Sequence, residues 1–135
     1  MAFKYPQFLV DTDWLAEHLN ATDIRVLDCT AFNMPDGNGG IRAESGRECW
    51  EAEHIPGADH ADLVTDLSDE SAAFRYMLPP VSQFAKGMSG YGVGAGKRVV
   101  LYDSTSGSWA TRIWWMLRVF GFDDAYILNG GLHKW

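Results

Sequence analysis

Cysteine is scarce in this sequence: Cys29 and Cys49 are the two among 135 residues, and they lie in different segments. With no C-x-x-C spacing, neither a zinc site nor a thioredoxin-type redox pair is supported. A disulfide between them stays open, although a chain of this size does not need one to fold. Long apolar runs are also missing, and none approaches the roughly 20 residues of a membrane span. The first ten residues hold one lysine and no continuous apolar core, so they do not read as a signal peptide. No membrane association is expected, and the cytoplasm is the default location. Positive charge is in short supply: 11 Lys and Arg face 18 Asp and Glu, a net charge of -7 at pH 7. Such a surface repels phosphate backbones, which argues against nucleic acid as a partner. The four histidines, His18, His54, His60 and His133, are scattered and match no metal spacing, so neither metal nor cofactor is expected.

What is present suits one globular domain over residues 1–135, with 47% hydrophobic and 21% charged residues. Thr12 can cap a helix over 13–19, with Trp14, Leu15, His18 and Leu19 on one face. Residues 24–28 read as a short buried strand. Residues 30–46, rich in Gly, Asn, Asp and Pro, read as a long loop. A short helix is expected over 47–53, stopped before Pro56, and a turn with a further strand before residue 62. Residues 65–78 are polar and irregular. Pro79 and Pro80 then open a helix to about Tyr91. Arg98-Val99-Val100-Leu101-Tyr102 is the clearest strand. A Ser/Thr/Gly loop leads from it into a helix over 110–120, apolar almost all round and so expected to lie under other elements. A last strand over 125–128 ends at Asn129-Gly130-Gly131, and Leu132 to Trp135 resembles the start of another helix, as though a longer chain followed. Short apolar strands alternating with helices describe crossover units on a parallel sheet.

Ligands of open parallel sheets bind beyond the carboxyl ends of the strands. The loop after Tyr102 is therefore the first candidate site, with Asp103, Ser104, Thr105, Ser106, Gly107 and Ser108. Small residues before a helix can expose backbone N–H groups to an anion. The plainer alternative is a polar turn with Ser108 as the helix cap. The run 90–97, Gly-Tyr-Gly-Val-Gly-Ala-Gly-Lys, is not a phosphate loop, because it follows a helix and precedes a strand. Residues 87–91 are not a nucleophile elbow, because Tyr91 stands where a glycine is needed. Cys29, just after a core strand, suits a small buried hydrophobe better than a nucleophile. Cys49 has Arg47 nearby, but Glu48 and Glu51 disfavour its thiolate.

Several stretches together resemble the rhodanese superfamily. They are Val26-Leu27-Asp28, His54-Ile55-Pro56-Gly57-Ala58, and Val99-Val100-Leu101-Tyr102-Asp103. Further along come Arg112-Ile113-Trp114-Trp115-Met116-Leu117-Arg118, and then Leu128-Asn129-Gly130-Gly131-Leu132. Within it, the Arg-x-Trp-Trp-Met-Leu-Arg run looks like the N-terminal half of tandem thiosulfate or 3-mercaptopyruvate sulfurtransferases. The resemblance implies an α/β, three-layer domain with a central parallel sheet of about five strands and helices on both faces. It also implies a C-terminal rhodanese domain of the same enzyme as partner, holding the catalytic cysteine that acts on a small sulfur-containing substrate. In this chain Asp103 stands at the nucleophile position. No catalytic residue is therefore expected here, and Asp103 is expected to accept hydrogen bonds from its own loop. Two departures concern the sulfur donor: Thr30-Ala31-Phe32 replaces an aromatic-rich Ser-Trp-Tyr, and Tyr76 replaces a histidine before Met77-Leu78-Pro79. Two other functions stay open. One is a free-standing sulfurtransferase using Cys29 or Cys49. The other is a non-enzymatic binding or regulatory module.

Overall fold

The computed structural model describes residues 2–135. After a short 3-10 turn at Pro6–Phe8 come β1 (Leu9–Val10), α1 (Thr12–His18), β2 (Ile24–Asp28), β3 (Ala31–Pro35) and β4 (Ile41–Ser45). Then follow α2 (Arg47–Ala52), β5 (Asp59–His60), α3 (Val81–Gly90), β6 (Arg98–Tyr102), α4 (Ser108–Val119), β7 (Ala125–Leu128) and α5 (Gly131–Lys134). Five strands form one parallel sheet in the order β1-β7-β6-β2-β5. The expected α/β class and strand number are therefore those observed.

The alternation of side chains along each strand builds two cores from one sheet. Leu27 of β2 and Val99 and Leu101 of β6 point one way, against Phe84 and Met88 of α3 and Ile113, Met116 and Leu117 of α4. Val26, Val100 and Tyr102 point the other way, where Leu15 of α1, Ile55 and Leu128 meet them. A sheet covered on both faces explains why β6 reads as a continuous apolar run. The Tyr102 hydroxyl, at the edge of the second core, accepts the Ile55 N–H at 3.1 Å.

Residues 30–46 correct the sequence reading. They are not a structureless loop but an antiparallel hairpin of β3 and β4, in register from Ala31↔Ser45 to Pro35↔Ile41. The turn residues that suggested a loop are confined to its tip. There the Asp36 carboxylate accepts the Asn38 and Gly40 N–H groups at 2.7 and 3.0 Å. Those same bonds hold its pKa below the ordinary carboxylate value. The two-residue strand β1 is an addition that periodicity could not reveal. Thr12 is the first residue of α1 and not its cap, a position held by Asp11. Nor is α4 covered all round: Ala110, Ile113, Met116 and Leu117 are buried, while Trp115 and Val119 are 42% and 48% exposed.

Gly46, between the hairpin and α2, sits where its N–H donates to the Thr30 carbonyl at 3.0 Å. A Cβ there would lie 2.1 Å from that oxygen, whereas one at Gly90 would meet open space. Gly46→Ala is expected to lower stability by roughly 1–3 kcal/mol, the usual cost of forcing atoms into a packed region. Gly90→Ala should stay within about 1 kcal/mol of the parent. Urea unfolding of both variants checks this, and equal midpoints would contradict the packing described.

Candidate functional site

Strand β6 delivers Asp103 to the bottom of the loop that leads into α4. Its side chain is 2% exposed and has five hydrogen-bond donors. Oδ1 accepts the Thr105 N–H at 2.9 Å, the Thr105 hydroxyl at 3.0 Å and the Gly107 N–H at 3.0 Å. Oδ2 accepts the N–H groups of Trp109 and Ala110 at 3.1 and 3.0 Å. The opening amides of a helix lack intrahelical acceptors and carry partial positive charge, so a carboxylate suits them. Gly107 closes the turn at a φ of 88°, a backbone conformation that favours glycine. Neither it nor Ser108 makes a side-chain cap; the helix is capped by Asp103 from five residues upstream.

The remaining loop residues face outward or sideways. Ser104 bonds to Thr30, in the two-residue link between β2 and β3, its N–H reaching the threonine hydroxyl at 3.0 Å. The hydroxyls of Ser106 and Ser108 pair at 2.8 Å, and that of Thr111 donates to the Gly107 carbonyl at 2.8 Å. A cavity of about 600 Å³ adjoins the loop, between Thr105, Ser106 and Ser108 on one side and Ile127, Asn129 and Gly130 on the other. Its lining includes no lysine, arginine or histidine. The candidate loop residues are thus together at the carboxyl end of the sheet, around an anion that the chain itself supplies.

The two thiols differ sharply. Cys29 is fully buried, its N–H donating to the Tyr102 carbonyl at 2.7 Å. Burial, reinforced by the carboxylates of Asp28 and Asp103, pushes its thiol well above the ordinary range. A protonated, enclosed thiol is a poor nucleophile. Cys49 is free and exposed on α2. The histidines stay apart: His18 stacks on Trp14, His54 stacks on Trp50, and buried His60 donates from Nε2 to the Thr30 carbonyl at 3.2 Å. Among the described residues no three His, Cys, Asp or Glu side chains gather closely enough to hold a metal ion. Two features were not foreseen. One is Thr30 as a bridge between the β2 and β6 loops. The other is the contact of Arg112 with Tyr76, at 2.6 Å from Nη2 to the carbonyl; no local sequence signal announces either pairing.

A family model described as a rhodanese-like domain matches residues 11–135. The chain belongs to the rhodanese-like family. It is 38% identical over 127 residues to thiosulfate/3-mercaptopyruvate sulfurtransferase 2 of Arabidopsis thaliana, an alignment spanning 94% of this chain and 35% of that protein. To the 3-mercaptopyruvate sulfurtransferase of Escherichia coli K12 it is 35% identical over 128 residues, spanning 95% and 43% respectively. The crystal structure of an Escherichia coli 3-mercaptopyruvate sulfotransferase superimposes with a TM-score of 0.78 at 36% identity, over 95% of this chain and 47% of the other. This rhodanese-like chain thus spans less than half the length of these relatives.

Two measurements follow from this geometry. A thiol reagent applied to the native protein should label Cys49 at once and Cys29 only after denaturant is added. Labelling of both within seconds would contradict the burial. Replacing Asp103 with Ala leaves four backbone N–H groups without their acceptor, and should cost about 2–4 kcal/mol in urea unfolding. Asp103→Asn, which sets an amide against some of those donors, should also destabilise. An Ala variant as stable as the parent would show that the carboxylate holds nothing together.

Proposed function

We propose that this rhodanese-like domain is the non-catalytic N-terminal half of a two-domain thiosulfate/3-mercaptopyruvate sulfurtransferase. In this reading the catalytic cysteine resides in a C-terminal rhodanese domain of the same enzyme, which is this domain's partner. The observation that carries the reading is Asp103, whose carboxylate fills the loop where a nucleophilic thiolate would have to sit. The family's chemistry begins with a thiolate attacking a sulfane sulfur, then holds a persulfide and passes it to cyanide or a thiol. A carboxylate brings no sulfur to this sequence. Both of its oxygens are already engaged, so the donors that would stabilise an anionic sulfur are not free. The shares of relatives spanned, 35% and 43%, support a further domain in the complete protein. The loop of Ser104, Thr105, Ser106, Gly107 and Ser108 is then structural, and substrate is handled elsewhere. No helix among the described residues is long and apolar enough to cross a membrane.

The isolated chain is expected to form no thiocyanate from thiosulfate and cyanide above a no-protein control. Activity lost in Cys49→Ser would replace this reading with a free-standing enzyme using that exposed thiol. The Asp103→Cys variant should form little persulfide by mass spectrometry and turn over weakly at best. Its loop is fitted to a carboxylate, and a misplacement of about 1 Å can cost on the order of a hundredfold in rate. Turnover near that of a natural rhodanese would mean that residue 103 alone keeps the domain silent.

A further inference from the structure

Residues 69–78 form an irregular strap between two fixed ends. At one end Ser68 is 4% exposed, with its hydroxyl on the Leu63 carbonyl and its own carbonyl accepting Gln83 Nε2 at 2.7 Å. At the other end Pro79 is buried just before α3. The strap closes on itself through the Asp69 N–H, which donates to the Met77 carbonyl at 2.9 Å. Between these anchors Tyr76 ties it to two other elements. The tyrosine hydroxyl donates to the Phe32 carbonyl of β3 at 2.8 Å, and its own carbonyl accepts Nη2 of Arg112, on α4, at 2.6 Å. The Tyr76 ring lies 5.2 Å from that of Trp109. Beside it, Arg75 Nε donates to Asn33 Oδ1 at 3.3 Å.

Both partners of the Arg112–Tyr76 bond are held in unfavourable states. Tyr76 has a φ of 61°, the sole positive value outside glycine among the described residues. A side chain with a Cβ persists there only when its surroundings impose it. Arg112 has a buried Nε with no hydrogen-bond partner, and no carboxylate pairs with it among the described residues. Its guanidinium rests over the Trp115 ring at 5.0 Å instead. A half-buried cation and a strained backbone thus meet at one short hydrogen bond.

We propose that this bond is a latch, holding the strap closed over the hairpin of β3 and β4, and that its release frees strap and hairpin together while the parallel sheet stays folded. The hairpin strands pair with each other and not with that sheet, so beyond their base, where Ala31 is buried and the Ser45 hydroxyl donates to Asp62 at 2.8 Å, they can move without breaking it. A groove of about 380 Å³ lies between the two, lined by Ala43, Val64, Ser68, Phe74 and Tyr76, and opening the latch widens it. The latch also abuts the Asp103 loop, because Trp109, against the Tyr76 ring, donates its N–H to Asp103.

Amide hydrogen exchange on the whole chain, resolved residue by residue, tests it. The Asp69 amide reports strap closure, the amides of β3 and β4 report the hairpin, and those of Val100 and Leu101 report global opening. In Arg112→Met, exchange at Asp69 is expected to rise roughly ten- to a hundredfold, the effect of losing a charged hydrogen bond, with the hairpin following. Tyr76→Phe, which frees the Phe32 carbonyl, should raise the same amides by a smaller factor. The β6 amides should change far less in both. No change at Asp69 in Arg112→Met overturns the proposal, and so does an equal rise across β6, which would mean plain global destabilisation. If Arg112→Met is too unstable to assign, Arg112→Lys decides: a selective rise supports the latch and a uniform one rejects it.

Discussion

A strand that turns into a helix inside a protein leaves the first amides of that helix pointing at an interior with no water to receive them. In this domain the problem is met by one side chain. The Asp103 carboxylate gathers four backbone N–H groups and a hydroxyl from Thr105 to Ala110, and so fixes the path of the loop and the start of α4. The next loop is built around the same residue. The Leu132 N–H donates to the Asp103 carbonyl at 3.4 Å, and a Cβ on Gly131 would come within 2.9 Å of that oxygen. Chemistry and stability are opposed at this point. The arrangement that satisfies the buried amides is the one that removes them from use by an external anion.

The sheet explains why this junction lies where it does. Strands β6 and β2 are central and covered on both faces, so their ends open at one edge of the two cores, where Thr30 and Ser104 join neighbouring loops. Cys29 ends up walled in by the same packing. Its position beside a strand terminus resembles that of a reactive group, but the surrounding core keeps it protonated and out of reach. Exposure and not chain position separates the two cysteines.

Much of the architecture could be read from periodicity. The apolar runs at Ile24–Asp28, Arg98–Tyr102 and Ala125–Leu128 are strands β2, β6 and β7, and Pro80 does precede α3. The hairpin at residues 31–45 escaped because its glycines and Asp36 dominate the composition, while the pairing of Ala31 with Ser45 is a relation between distant residues. Strand β1 is two residues long, below the length at which alternation has meaning. At the candidate site, the loop and the place of Asp103 were legible from the order of strand, small residues and helix. The distribution of five donors over its two oxygens was not, since it depends on Gly107 turning back at positive φ. The strained Tyr76 and its tie to Arg112, 36 positions away, leave no trace in local sequence.

The central pairing also sets the order in which such a chain can assemble. Hairpin β3–β4 pairs residues from 6 positions apart at Pro35↔Ile41 to 14 at Ala31↔Ser45, and hairpins close on a scale of about 1–10 microseconds. Strands β2 and β6 meet across a gap as wide as that between Thr30 and Ser104, 74 positions, and the entropy of closing it must be overcome before either core exists. Parallel sheets of such high contact order fold slowly. During synthesis β2 emerges well before its partner and waits as an unpaired apolar edge, a state open to aggregation. The chain between them carries Asp59, Asp62, Asp66, Asp69 and Glu70, and like charge of that kind opposes association while β2 waits.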